Sequence, residues 1–244
     1  MRTETNDKLA RRNRQIAQYL FFASFGILIL GLFVTNTQMN PESEGDLLPL
    51  LLPALILPLA FVATMISVRM TNLWVRQPRP EVVIREGLKG LSNKSVLYNY
   101  YHIPARHVLI SPQGVFAMVT RFQDGRFSVD GDRWTTHKSA LGKLIGIFRF
   151  DSIGNPTQEA ERAAQHVREL LKPIAPDVPV QPLIVFFDPR ADVTANNPTV
   201  PVLYPDLKKR PNLKEYLRDV AREGRPSLTP EQIEAFEEAT LPKA

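Results

Sequence analysis

The sequence contains no cysteine. Disulfides, cysteine-based zinc sites and thiol nucleophiles are therefore excluded. Lysine and arginine are also missing from one long interval, since neither occurs between Gln15 and Val68. The only acidic residues in that interval are Glu42, Glu44 and Asp46. A stretch this long with so little charge predicts a membrane segment rather than part of a soluble domain.

Two uncharged runs inside this interval are long enough to be transmembrane helices. Residues 16–34 would span roughly 28 Å as a helix, close to the ~30 Å hydrocarbon core of a bilayer. Residues 47–68 are long enough to cross with some tilt. A cleaved signal peptide is the competing interpretation of the first run, but no small-x-small cleavage site follows it. We therefore predict a transmembrane helical hairpin over residues 16–68.

Basic residues flank the outer ends of both runs, and the short connector between the runs has none. The positive-inside rule therefore places both termini in the cytoplasm and the connector outside. An integral membrane protein with a cytoplasmic soluble domain follows from this pattern. Its predicted parts are a basic N-terminus over residues 1–15, the hairpin, a juxtamembrane linker over 69–80 and one soluble domain over 81–244.

The soluble part is close to neutral, with 22 basic and 20 acidic residues from residue 80 onward. Its periodicities predict a helix, a meander of three to five strands, a helix, two strands and two closing helices. The second helix has the clearest start, because Asn155 suits an N-cap, Pro156 the first helical position and Gln158 a capping box. This order predicts an α/β fold with helices packed around a mostly central sheet.

Common catalytic motifs are absent from the sequence, which has no phosphate-binding loop, no G-x-S-x-G and no H-E-x-x-H. We therefore infer no cofactor. One basic cluster, Lys208, Lys209 and Arg210, is a candidate site for an anion or a nucleic acid. A solvated helix start is the alternative interpretation, because no aromatic residues are interleaved with these charges.

Four segments in sequence order resemble the nuclease-related domain (NERD) family. The segment Arg106–Arg121, reading RHVLISPQGVFAMVTR, resembles a pair of strands that is characteristic of the family. Gly131-Asp-Arg-Trp134 is similar to its Gly-x-x-Trp turn, Asn155-Pro-Thr-Gln158 to its helix start, and Leu183–Phe187 to the following strand. The resemblance spans roughly residues 81–240. It implies a restriction-endonuclease-like αβββαβ core.

The same resemblance argues against nuclease chemistry. Active members carry an Asp at the end of one strand and Glu-x-Lys on the next, where the two carboxylates hold a divalent metal and the Lys helps to polarise the attacking water. The corresponding positions here are Arg106, Val119 and Arg121, and only the helix glutamine is retained, as Gln158. Valine cannot ligate a metal ion, and arginine repels one. The resemblance therefore implies a degenerate site without metal, at which Arg106 and Arg121 are candidates for binding an anion.

These features predict a membrane-anchored, catalytically inactive nuclease-like domain that serves as a binding or scaffolding module. Besides the lipid bilayer, the predicted partners are a nucleic acid or an acidic protein. One alternative is an active metal-dependent nuclease with relocated ligands, for which Glu81, Glu86 and Asp124 are the available carboxylates. A second is a membrane regulator or assembly factor unrelated to nucleic acid, which the near-neutral domain favours.

Overall fold

The computed structural model describes residues 1–37, 48–137 and 152–242. The described residues form two units. One is a pair of long helices within residues 8–77, and the other is a mixed α/β unit built from residues 1–7 and the described residues from 78 onward. The predicted α/β class is confirmed. Most of the predicted external connector, and Leu47 at the start of the second predicted span, lie outside the described residues.

The two helices of the first unit are longer than the apolar runs from which they were predicted. Helix α1 comprises Asp7–Thr37 and helix α2 comprises Leu48–Trp74. Both are long and apolar enough to cross a membrane. Only 17% of the most apolar window of α1 and 11% of that of α2 is buried, so neither helix resembles the core helix of a soluble protein.

Contacts at the two ends of this pair show that α1 and α2 run antiparallel. Near the start of α1, Arg14 Nε donates to the carbonyl oxygen of Trp74 at 3.4 Å. Near its end, a Cβ added to Gly31 would lie 3.0 Å from Ile56 Cγ2, so glycine permits a close approach there. Small residues are favoured where apolar helices meet in lipid. Such residues are buried on both helices: Ala10, Ala17, Ser24, Ala60 and Ser67.

The α/β unit contains nine strands and four further helices among its described residues. The strands are β1 (Arg2–Thr5), β2 (Val96–His102), β3 (Ala105–Ser111), β4 (Gly114–Arg121), β5 (Gly125–Asp130), β6 (Arg133–His137), β7 (Val180–Phe186), β8 (Ala191–Asn196) and β9 (Val202–Leu203). The helices are α3 (Pro80–Gly87), α4 (Pro156–Leu171), α5 (Leu213–Ala221) and α6 (Pro230–Thr240).

The strands form two sheets rather than one. The larger sheet has the order β1-β2-β3-β4-β7-β9 and the smaller has the order β6-β5-β8. The predicted meander is therefore divided after β4, and β5 pairs in parallel with β8, a strand that the sequence pattern did not reveal. Gly125, with φ of 101°, allows the backbone to change direction at this point, because other residues rarely adopt such an angle.

The larger sheet is covered on both faces, as the predicted packing of helices around a central sheet requires. On one face, Ala163, Ala164 and Val167 of α4 pack against β2, β3 and β4. On the other face, Ile84 of α3 joins a buried cluster with residues of α5. The predicted N-cap of α4 is also observed, since the side chain of Asn155 accepts a hydrogen bond from the backbone N–H of Gln158 at 3.1 Å. The bond that would complete the predicted capping box, from the Asn155 N–H to the Gln158 side chain, is not among those of the described residues.

Strand β1 was not predicted from the sequence. It pairs in parallel with β2, from Arg2 opposite Val96 to Thr5 opposite Asn99. The buried side chain of Asn99 donates to Thr5 Oγ1 at 3.0 Å, and Arg2 forms an ion pair with Glu237 of α6. The segment that precedes α1 is therefore an edge strand of the α/β unit.

Candidate functional site

Three of the four degenerate family positions lie at the ends of two neighbouring strands. Arg106 is the second residue of β3, and Val119 and Arg121 are near the end of β4. Side chains alternate along a strand, so these residues lie on the face that carries Val108 and Val115. Val108 and Val115 belong to the core cluster that α4 covers. The structure therefore places the three positions on the α4 face of the sheet.

Arg121 is paired with a carboxylate that sequence reasoning did not identify. Its side chain is only 10% exposed, and Nη2 lies 2.8 Å from Oε1 of Glu159 in the first turn of α4. Nη2 is placed for an ionic contact rather than for a directed hydrogen bond, and the buried Nε has no hydrogen-bond partner among the described residues. Glu159 gave no signal in the sequence, because an acidic residue is ordinary in a first helical turn.

Val119 is half-buried and packs against two core clusters, one under α4 and one that contains Phe127 and Phe186. The position at which the family resemblance implies a Glu therefore packs against apolar side chains.

Arg106 is also half-buried. Burial, and to a lesser extent the charge of Arg106, lowers the pKa of neighbouring His107 to about 3. His107 is therefore neutral at physiological pH.

Gln158 takes part in the helix cap through its backbone. Its N–H donates to the cap residue Asn155, while its side chain is exposed on the first turn of α4. The neighbouring residue, Glu159, reaches Arg121. The retained glutamine therefore lies beside the site.

The turn and helix-start motifs contact each other directly. Trp134 Nε1 donates to Oγ1 of Thr157 at 2.9 Å, and the indole stacks on Phe186 with ring centroids 5.9 Å apart. An open cleft of about 890 Å³ is lined by residues of both motifs, including Gly131 and Asn155. This contact joins the smaller sheet to the start of α4 and gives both motifs a structural role.

The carboxylates considered as relocated metal ligands are engaged elsewhere. Glu81 accepts a hydrogen bond from Tyr100 at 2.7 Å, Glu86 pairs with Lys89, and Asp124 pairs with Arg190 at 3.0 Å. Within the part of the chain that the structure describes, no three His, Asp or Glu side chains are grouped as a metal site would require.

The residues at the degenerate positions do not fit a divalent metal ion. Such an ion needs hard oxygen ligands. Arg106 and Arg121 supply positive charge instead, and Val119 supplies only an alkyl group. The carboxylate that Arg121 contacts, that of Glu159, already balances its charge.

The basic cluster lies apart from these positions. Lys208, Lys209 and Arg210 follow β9, which is separated from β4 by β7. Lys209 Nζ donates to the Ala191 carbonyl at 2.5 Å and sits 4.9 Å above the ring of Tyr204, while Arg210 pairs with Glu215. The lysine at 208 is exposed. The structure therefore does not bring the two groups of candidate anion-binding residues together.

The family model of the nuclease-related domain matches residues 81–187. The chain carries a NERD domain. The match extends from the first turn of α3 to the residue after β7 and includes all four degenerate positions, whereas the basic cluster lies beyond it. No curated protein and no solved structure matches the chain. The NERD resemblance noted over residues 81–240 is thus confirmed for residues 81–187.

Proposed function

We propose that this NERD protein is a membrane-anchored binding or scaffolding module without nuclease activity, located on the cytoplasmic face. The observation that carries the proposal is the ion pair between Arg121 and Glu159 at a position where the family's chemistry needs a lysine beside free carboxylates. Nη2 and Oε1 are 2.8 Å apart, and the arginine is largely buried.

Charge balance at this position disfavours hydrolysis. A metal-dependent hydrolytic site needs carboxylates that neutralise the ion and hold its water for in-line attack. The packed side chain of Val119 removes one of them. A cation entering beside Arg106 and Arg121 would also meet like charge in a partly desolvated setting, where repulsion is stronger than in water.

The order of elements supports a restriction-endonuclease-like core. Helix α3 is followed by β2, β3 and β4, then after the smaller-sheet hairpin by α4 and β7. This is the αβββαβ order that the family resemblance implies. The hairpin β5–β6 is an insertion in that order, and it pairs with β8 outside the larger sheet.

Membrane anchorage by α1 and α2 is supported by their length, their exposure and the chain connectivity. Residues 1–7, at the start of α1 and before it, and the described residues from 78 onward belong to the same α/β unit. The chain must therefore cross the bilayer an even number of times between them, as a hairpin does. Arginine and lysine flank the outer ends of the two apolar runs and are absent from the connector, so the positive-inside rule favours a cytoplasmic location for this unit.

The binding partner proposed for the degenerate site is anionic, either a nucleic acid or an acidic segment of a protein. An anion that reaches Arg121 must displace the carboxylate of Glu159, whose side chain is 52% exposed and therefore able to move away. The near-neutral charge of the domain favours a protein over a nucleic acid. Binding of DNA would weaken steeply as salt concentration rises, and this dependence distinguishes the two partners.

The experiment that tests the loss of nuclease function uses the full chain in detergent. Mn²⁺ binding and cleavage of DNA and RNA are measured for the wild type and for the triple variant Arg106→Asp, Val119→Glu, Arg121→Lys. Arg126→Asp, at an exposed position of β5, controls for the addition of a carboxylate elsewhere. Circular dichroism establishes that each variant is folded.

We expect no cleavage by the wild type and metal binding gained only by the triple variant. Metal-dependent cleavage by the wild type that is abolished by a chelator would refute the proposal. Loss of that cleavage in Glu81→Gln or Asp124→Asn would assign it to relocated ligands. Because the wild-type measurement decides the question by itself, misfolding of the triple variant would not obscure the result.

A further inference from the structure

Most strands of the larger sheet have their carboxyl ends at the same edge of the sheet. Strand β1 is parallel to β2, β2 and β4 are each antiparallel to β3, and β7 and β9 are parallel to β4. Five of the six strands therefore end at the same edge, which we call the carboxyl edge. Loops at such an edge commonly form the binding surfaces of parallel sheets.

Both connections to the apolar helices leave the α/β unit at the carboxyl edge. Strand β1 ends there at Thr5, and α1 begins at Asp7. The second connection enters α3, where Glu81 accepts the hydrogen bond from Tyr100 near the carboxyl end of β2. Pro78 lines a surface cavity of about 480 Å³ together with residues that follow β7 and β9.

The same cavity is lined by part of the loop after β9, residues 205–211, which we call the 205–211 loop. Leu207 in this loop is 53% exposed, one of the few large apolar side chains of the α/β unit that face solvent. Lys208 beside it is exposed, and its ammonium group has no ion-pair partner in the described ranges. Arg210 is 73% exposed and pairs with Glu215. Leu207 follows Asp206 and precedes three consecutive basic residues, Lys208, Lys209 and Arg210. An exposed apolar side chain beside clustered basic ones is typical of segments that lie at a membrane surface.

The connections are short. Three residues lie between Trp74, at the end of α2, and Pro78, so this tether of four residue steps reaches at most ~14 Å. A single residue, Asn6, separates β1 from α1. If α1 and α2 cross a bilayer, the carboxyl edge is therefore the part of the α/β unit that is held within reach of its surface.

We propose that the 205–211 loop docks on an anionic lipid surface, with Leu207 entering the interface and Lys208 and Arg210 contacting headgroup phosphates. This rests on the membrane anchorage in the proposed function, but not on the absence of nuclease activity or on which side of the membrane the domain occupies. The docked loop would orient the carboxyl edge, including the Arg121 position, toward the membrane. Each basic residue near an anionic surface favours the docked state by roughly a factor of five.

The absence of native cysteine makes the test direct. Leu207→Cys in the full chain is labelled with an environment-sensitive fluorophore, and the protein is reconstituted in nanodiscs. One set of discs contains phosphatidylcholine alone, and the other also contains phosphatidylglycerol. Asp177→Cys is the matched control, because this exposed residue precedes β7 at the opposite edge of the sheet.

The label at position 207 is expected to shift its emission to the blue and to be quenched by nitroxide-bearing lipid in discs with phosphatidylglycerol, whereas the label at 177 does neither. Adding Lys208→Gln should lower the ratio of docked to undocked loop roughly fivefold, and Lys94→Gln, at the opposite edge, should leave it unchanged. Equal solvent exposure of both labels in the anionic discs would overturn the proposal. So would a 207 label that shifts only on adding DNA or an acidic protein, since the loop would then serve a soluble partner.

This outcome is separable from that of the proposed function. Failure of the chain to remain in the discs would refute the anchorage itself. Lipid contact by the 207 label together with nuclease activity would refute the inactive site and leave the docked loop intact.

Discussion

Two buried histidines couple the stability of the α/β unit to pH. Burial lowers the pKa of His102 to about 4, with a smaller contribution from the charge of His166. The pKa of His107 is lowered to about 3. Their rings are held by a 2.9 Å contact from His102 Nε2 to Thr240 Oγ1 and a 2.8 Å contact from His107 Nδ1 to Asn99 Oδ1.

The unfolded chain binds protons at these histidines near pH 6.5, before the folded chain does, so stability falls as pH decreases from about 6.5 toward 4. Between pH 7 and pH 5 we expect a loss of roughly 2 kcal/mol per histidine. Urea unfolding of the full chain in detergent measures it. In His102→Gln, whose amide replaces Nε2 as the hydrogen-bonding group, about half of this loss should disappear. An unchanged pH dependence in that variant would contradict the assignment.

The ion pair between Arg121 and Glu159 predicts that two glutamate substitutions on α4 lower the free energy of unfolding by different amounts. Glu159→Gln leaves the buried guanidinium without its carboxylate, and because Glu159 is itself half-exposed we expect a destabilisation of about 1–2 kcal/mol. Glu161→Gln on the same helix is the matched control. Its 3.7 Å contact with Arg168 joins two well-exposed side chains, so its removal should cost less than about 0.5 kcal/mol. Equal unfolding free energies for the two variants would show that the Arg121 pair is unimportant.

At the level of whole elements, β1 makes the domain depend on residues that precede the membrane helix. The fragment 80–244 is predicted to be soluble and folded, because its helices and sheet bury a core of their own. It lacks β1, however, which exposes the edge of β2 and leaves Asn99 without its bond to Thr5. We therefore expect this fragment to melt at a lower temperature than one in which residues 1–6 are joined to it by a flexible linker.

A Thr5→Val substitution in the linked fragment provides the control for this comparison. It retains the strand and removes only the hydroxyl that accepts from Asn99. The substitution should therefore remove about 1 kcal/mol of the unfolding free energy that residues 1–6 add to the fragment. Identical melting of the fragments with and without residues 1–6 would show that β1 contributes nothing to stability.

For the whole molecule, the prediction concerns topology. A reporter fused after Ala244 should be cytoplasmic, and one inserted at Ser43 should be external, because lysine and arginine flank only the outer ends of the apolar runs. Paired alkaline phosphatase and green fluorescent protein fusions at both positions measure the sidedness. An external signal from the C-terminal fusion would invert the proposed orientation. A cytoplasmic signal at both positions would exclude a hairpin.

Features that depend on residue type over short distances could be predicted from the sequence alone. Charge-free runs of about 20 residues predicted the positions of α1 and α2, because a lipid environment restricts composition directly. Asn155 predicted a helix start, because an N-cap bonds to the backbone only three residues later. The replacement at Val119 likewise follows from residue identity, because the family positions lie within short contiguous motifs.

The meeting of distant residues, in contrast, depends on the tertiary structure. Strand β1 has four mostly polar residues and gains its stability from β2, whose paired residues are 94 positions away in the sequence. The division of the predicted meander depended on β5 pairing with β8 rather than with β4. Glu159 becomes part of the site only because α4 packs on the sheet and brings it to Arg121. Such contacts form because folding buries apolar faces against each other, and local sequence patterns specify those faces but not their partners.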